Sequence, residues 1–293
     1  PEVDAALWRD ACTAAGWSAD AVDLDALLDR GLALADDRRT GAGWRFRHPG
    51  LRQHLLATTP RSRAHAAAAD ALAASAPQDR TRQGHHRHAA GQHDRAATLL
   101  AEGVWDRADR ADVPGALAAA RTLRAALEAL GAPDTDPRWL DADIALARWG
   151  GASRDDASYT ALVELGDRAR SLGAWMQAAR AWSLAGRQAG LALDHDRGLR
   201  DQDRALDAVG RVSTTAVDPA RRGALEGGIL WERGEIHRKV GRFDEAEADY
   251  RAALAAFEVA GAHEGRAWVA ISRFHLAMRR DDRRAAAACL DAA

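Results

Sequence analysis

The chain has 293 residues, with 41 basic side chains against 43 acidic ones, and two cysteines. The near-neutral balance excludes a chain-wide electrostatic nucleic-acid binder. Two distant cysteines, Cys12 and Cys289, exclude a disulfide framework or a cysteine-based metal site, and a reducing cytoplasm is the expected compartment. No run of about 18 apolar residues is present to span a membrane, and no signal peptide opens the chain. Ala, Arg, Asp and Leu dominate while Val, Ile and Pro are sparse, which favours helix nearly throughout. Of the basic residues 40 are Arg and one is Lys239, a bias of a high-GC genome rather than of function. The chain opens at Pro1 and stops within the helical run "AAAACLDAA", so it is expected to be part of something longer.

Residues 4–15 read as a helix with Leu7, Trp8, Ala11 and Cys12 on one face and Asp4 near its start. Residues 20–29 read as a second, with Val22, Leu24, Leu27 and Leu28 apolar. The period then changes. "GLALAD" (31–36) is a short apolar run, "DRRTGAG" (37–43) a turn, and "WRFRH" (44–48) alternates large apolar with polar residues at the period of a strand. Helix, helix, strand, turn, strand is a winged-helix order. Helix resumes at Pro49, a good first-turn proline, and again over 61–75, "RSRAHAAAADALAAS".

Residues 77–82 read as a polar linker. The following "GHHRHAAGQHDRAATLLAEG" carries His85, His86, His88 and His93. His85 and His88 share a helical face, but the four spread around the helix with Asp94 the one nearby carboxylate. A closed zinc site needs four ligands on one side, so no metal is expected. Residues 113–130 read as a helix ended by Gly131, with Pro133 and Pro137 beyond it. Residues 139–149 begin another.

Two stretches, 162–185 and 230–253, repeat one spacing. Gly166, Ala169, Gly173, Ala178, Trp182 and Ala185 stand at the same gaps as Gly234, His237, Gly241, Ala246, Tyr250 and Ala253, 68 residues on. That offset is two periods of 34, and the pattern is the tetratricopeptide (TPR) signature of stacked helix–turn–helix units. Gly166 and Ala178 let the helices of a hairpin approach, and Trp182 fills the gap to the neighbouring pair. Gly173 and Gly241 sit where a helix ends in a left-handed turn. Residues 186–217 fall out of phase, with Arg200 where a third copy needs a small residue, and a helical pair of altered lengths is expected there. Asp218 and Pro219 start a long helix to Val240. A further helix spans 265–278, with the turn "RRDD" after it.

The run "LLDRGLAL…GWRFRHPGLRQHLLATTPRSRAHAAAADALA" resembles the winged-helix segment that follows the nucleotide-binding core of STAND NTPases. That group includes MalT-like and LuxR-type bacterial regulators and multidomain Ser/Thr kinases of high-GC bacteria. Phe46, His48, Leu51, His65, Ala71 and Leu72 carry the resemblance, which covers roughly residues 1–130. It implies TPR-like arms downstream, and it places His48 where the family's histidine reaches the phosphate of bound ADP. The NTPase core itself is missing. No G-x-x-x-x-G-K-S/T occurs, and the single lysine lies in "HRKVG". ATP or ADP is therefore expected only with an upstream core, and no cofactor in this chain. The segment 38–95 is rich in Arg, but the helix that would enter a DNA groove carries Asp20, Asp23, Asp25 and Asp29, which repel phosphate.

No nucleophile elbow, H-E-x-x-H, C-x-x-C or G-x-G-x-x-G is present. The expected fold is all-α, a TPR-like helical-hairpin solenoid with a small N-terminal winged-helix module: 1–75 the module, 76–150 a helical connector with early hairpins, 151–293 the solenoid. The TPR pattern puts Val163, Asp167, Arg170 and Ser171 on the groove in one repeat, and Trp231, Glu235, Arg238 and Lys239 in the other. Arg and Lys donors there would clamp a peptide carboxylate or acidic side chains. The expected function is a non-catalytic sensor and protein-interaction arm of a STAND-type regulator, binding a peptide, a protein partner or a small inducer and contacting an NTPase domain of its own chain. A freestanding TPR adapter and a DNA-contacting transcriptional regulator are the alternatives, and a metal-dependent enzyme ranks last.

Overall fold

The computed structural model describes residues 61–150, 156–213 and 217–284, Ala286 and Cys289, together with Thr13 and the backbone of three short strands. The strands are β1 (Val3–Asp4), β2 (Ala33–Asp36) and β3 (Gly43–Phe46). They form one antiparallel sheet in the order β1-β3-β2, with Ala33 opposite Phe46 and Val3 opposite Trp44. The alternation of "WRFRH" foresees β3, and the run "GLALAD" foresees β2. Asp4 stands in a strand instead of opening a helix; of the rest of that expected helix only Thr13, which is helical, is described. The expected helices over 20–29 and 49–59, and His48, lie outside the described residues.

Eleven helices follow among the described residues: α1 (Arg61–Ser75), α2 (Arg80–Ala89), α3 (His93–Asp109), α4 (Val113–Leu130), α5 (Arg138–Trp149), α6 (Asp156–Ser171), α7 (Trp175–Leu191), α8 (His195–Gly210), α9 (Pro219–Lys239), α10 (Phe243–Ala260) and α11 (His263–Arg279). The chain divides into two compact units, 1–145 and 146–293.

In the first unit α1 to α4 pack each on the next. Leu72, Leu100, Val104, Leu123 and Leu127 are buried along this ladder, as are Leu140 and Ile144 of α5. The expected linker over 77–82 is shorter than its polar composition suggests. Asp79 accepts from the Arg82 N–H at 3.2 Å and caps α2, so Arg80 already belongs to the first helical turn. Residues 84–103 are likewise two helices, because the chain turns at Gly91, φ +79°. Trp105 Nε1 donates to the buried Asp141 carboxylate at 2.6 Å, which ties α3 to α5.

The second unit is a run of antiparallel, TPR-like helical hairpins. Gly173 and Gly241, at φ +69° and +80°, end α6 and α9 as their spacing predicts. In each the residue after the glycine donates its N–H five residues back, Ala174 to Ala169 O and Arg242 to His237 O, both at 2.9 Å. That is the Schellman closure. The small-to-aromatic pairing acts within each hairpin. A Cβ on Gly166 would lie 2.4 Å from the Trp182 indole, and one on Gly234 would lie 2.7 Å from the Tyr250 ring. Trp182 thus fills the gap inside its own hairpin, against α6, and Arg204 of α8 covers its ring at 4.3 Å.

Between the copies stands one new helix, α8, and not the expected pair. Helix α7 runs on through Gly186 and Gly190 to Leu191. Those glycines stay helical because α8 and α9 come close there: a Cβ on Gly186 would meet Gly198 O at 2.9 Å, and one on Gly190 would meet Ile236 at 3.1 Å. The α7–α8 turn repeats the Schellman closure, with Asp194 N–H donating to Ala189 O at 3.0 Å, but a leucine occupies the left-handed position, Leu193 at φ +67°. Leu193 is 75% exposed, so its side chain returns no burial for that strain. Leu193→Gly is expected to stabilise the chain by about 0.5–1 kcal/mol, read as a higher urea midpoint at unchanged slope.

Candidate functional site

Contacts along the second unit sort its helices into two rows. Asp167 of α6 pairs with Arg204 of α8, and the Tyr159 hydroxyl donates to Asp201 of α8 at 2.6 Å. Arg187 of α7 pairs with Glu232 of α9 at 3.2 Å, and Trp231 of α9 donates to the Ser272 hydroxyl of α11 at 2.8 Å. So α6 stands with α8, while α7, α9 and α11 stand together. Arg233 of α9 holds Asp203 of α8 at 2.7 Å and Asp249 of α10 at 2.6 Å, bringing those two helices to one side of α9.

The residues expected to line one groove therefore fall in different rows. On α6, Val163 is half-buried, Asp167 is taken up by Arg204, Arg170 is exposed 3.2 Å from Asp167, and Ser171 donates to Arg168 O of its own turn at 2.7 Å. On α9, Glu235 accepts from Arg238 and from the Tyr250 hydroxyl, both at 2.6 Å. Burial works to raise the Glu235 carboxyl, but hydrogen bonds from Arg238, Tyr250 and Ser272 outweigh it and hold the group below its ordinary value. Burial and the bond to Glu235 push the Tyr250 hydroxyl up. Lys239 is exposed at the end of α9. Burial pushes the neighbouring Glu232 carboxyl up, with Arg187 working against it.

The α9 set meets a feature the sequence reading passed over. Trp268, Ile271 and Met278 of α11 are 50%, 44% and 54% exposed, and His275 is exposed between the last two. Spacings of 3, 4 and 3 put all four on one helical face. The Trp268 and Trp231 rings lie 6.0 Å apart and tilted by 42°. The α9–α11 surface thus joins an aromatic shelf and an apolar stripe to the basic end of α9. The signal was present in the sequence as an apolar stripe at helical spacing. Periodicity marks such a stripe without telling which neighbour covers it.

In the first unit, the clustered histidines form two pairs across helix contacts. His65 Nδ1 of α1 lies 2.9 Å from His86 Nδ1 of α2, and His88 Nδ1 lies 3.2 Å from His93 Nδ1 of α3. Each contact needs one ring as donor and one neutral ring as acceptor. Among the described residues no group of three or more His, Cys, Asp or Glu side chains is placed to hold a metal. Burial first, then His65, Arg82 and His85, lower the His86 pKa from 6.5 to about 4. The unfolded chain therefore takes up this proton before the folded one does. Stability from this group is complete above pH 6.5 and is lost as pH falls toward 4. Allowing for solvent screening, about 1–2 kcal/mol is expected to go over that window. Urea midpoints measured between the two pH values should fall in the wild type and fall less steeply in His86→Gln.

No helix among the described residues is long and apolar enough to cross a membrane. No protein-family model and no curated protein matches the sequence. Among solved structures the chain is weakly similar to the crystal structure of a Signal Transduction ATPase with Numerous Domains (STAND) protein with a tetratricopeptide repeat sensor from Pyrococcus horikoshii, with 13% identity and a TM-score of 0.40. The match covers 86% of this chain and 49% of that one, so the chain spans about half of that protein's length.

Proposed function

We propose that this chain is a non-catalytic sensor and protein-interaction arm of a STAND-type signalling ATPase, and that the α9–α11 surface receives a peptide or protein segment. The observation that carries the reading is the half-exposed stripe Trp268, Ile271 and Met278 set beside Trp231. Exposed aromatic and long apolar side chains grouped on one face mark interaction sites more than scattered ones do. Lys239 supplies an exposed cation at the end of α9, so the favoured segment carries apolar anchors next to an acidic group. The N-terminal segment acts as the winged-helix relay toward the NTPase core, with His48 directed at ADP phosphate.

Peptides selected from a display library on the whole chain are expected to lose at least tenfold in affinity on Trp268→Ala, with helical content unchanged. Peptides that bind this variant and Ile271→Ser as tightly as the wild type would remove the reading. The relay is tested apart from it, in the full-length regulator. His48→Ala should speed ADP release there, and an unchanged off-rate ends that role.

A further inference from the structure

A second candidate site lies on a different flank of α9 from the Trp231 shelf. Between the N-terminal half of α9 and the C-terminal half of α10 is an open groove of about 410 Å³, its α10 side formed in part by the exposed Ala252, Ala255 and Val259. Its concavity comes from small residues. A Cβ on Gly223 would meet Ala256 O at 2.9 Å, so the two backbones approach closely at this point. Beside that close approach, Ala252 and Ala255 line the groove without filling it. Leu230, Val217 and Val259 complete an apolar lining, and Val259 is largely exposed to water.

Two charged residues line it as well, Arg222 and Glu226. They form a loose pair, Arg222 Nη2 to Glu226 Oε2 at 3.8 Å, beyond hydrogen-bonding distance. Arg222 Nε reaches Val209 O at 3.4 Å, a long bond. A guanidinium carries five donors in a planar fork that matches a carboxylate. With Nε directed to Val209 O and Glu226 beyond bonding distance, the Nη donors of Arg222 are left to give an anion two good bonds.

We propose that this groove binds a small apolar carboxylate, its hydrocarbon or ring on Leu230, Ala256 and Val259 and its carboxylate in the fork of Arg222. This goes beyond the interaction reading and does not rest on it. Octanoate, octanol and octylamine titrated calorimetrically into the whole chain test the assignment. Octanoate should bind saturably at one site, more tightly than octanol, with octylamine weakest. Arg222→Gln should weaken octanoate at least tenfold and leave octanol unchanged. Ala255→Trp, at an exposed position, should abolish binding while the circular dichroism spectrum and urea midpoint stay those of the wild type. Unsaturable octanoate, tighter octylamine, or equal affinity in Ala255→Trp would each overturn the assignment. So would a dimer that Val259→Glu dissolves, since a second copy would then occupy the groove. Trp268→Ala should not affect octanoate, which keeps failure here distinct from failure of the peptide surface.

Discussion

Alanine at Gly234 is expected to destabilise the second unit by about 2 kcal/mol, while alanine at Gly228, six residues earlier on α9, stabilises it by up to about 1 kcal/mol. Both are glycines inside one helix, and helix propensity alone favours alanine equally at each. What separates them is the facing surface. A Cβ on Gly228 meets nothing within 4 Å, whereas one on Gly234 lies 2.7 and 2.9 Å from two Tyr250 ring carbons. Tyr250 has nowhere to retreat, because its ring is fully buried and its hydroxyl is bound to Glu235. Overpacking of this kind typically costs about 1–3 kcal/mol and outruns the propensity gain. Gly166→Ala should repeat the loss, since its Cβ would meet the Trp182 indole at 2.4 Å. Urea midpoints of the three variants decide the matter. A stabilised Gly234→Ala would mean that the hairpin relaxes freely and that the glycine is not there for packing.

Arg233→Met is expected to cost about 3–5 kcal/mol, the usual penalty for stranding a buried charge. Asp249 is 5% exposed and takes two bonds from Arg233, Nε at 3.0 Å and Nη2 at 2.6 Å. Its other basic neighbour, His237, stands 3.8 Å away, and burial lowers the pKa of that ring. Removing the guanidinium therefore leaves a carboxylate in the core of the α9–α10 hairpin with no close cation. Asp203, the third member, is well exposed, so Asp203→Ala should cost under about 1 kcal/mol. The double variant Arg233→Met with Asp249→Leu should be less damaged than Arg233→Met alone, because no charge is stranded. Additive losses in that cycle would show that Arg233 acts by packing and not by pairing.

Most of the helices, their turns and the small-to-aromatic spacing within each hairpin were legible because each is written locally. The helix over 113–130 ends where Gly131 predicts, and α9 starts at Pro219 behind an Asp218 side chain that accepts from Ala220 N–H at 2.9 Å. The hairpin chemistry of Gly166 with Trp182 was also visible as a spacing, although the tryptophan proved to fill its own hairpin. The α11 stripe and the groove beside Gly223 were not legible, because each depends on which helices leave a face uncovered.

By itself, the sequence determined a helical chain of hairpins, its glycine turns and a short strand segment near its start, while the 34-residue period it suggested is not kept by the helices. Local propensity, capping and close approach across one turn act between residues near each other in the chain, so spacing records them. Only the tertiary structure decided which helices share a row. Gly186 and Gly190 interrupt the pattern as if to break it, yet they remain helical because α8 and Ile236 pack where their side chains would be. One helix then stands where two were expected, α9 comes three helices after α6 and not four, and the opening helices of the two repeat copies stand in different rows. That outcome depends on long-range packing against α8 and α9, and no local spacing encodes it.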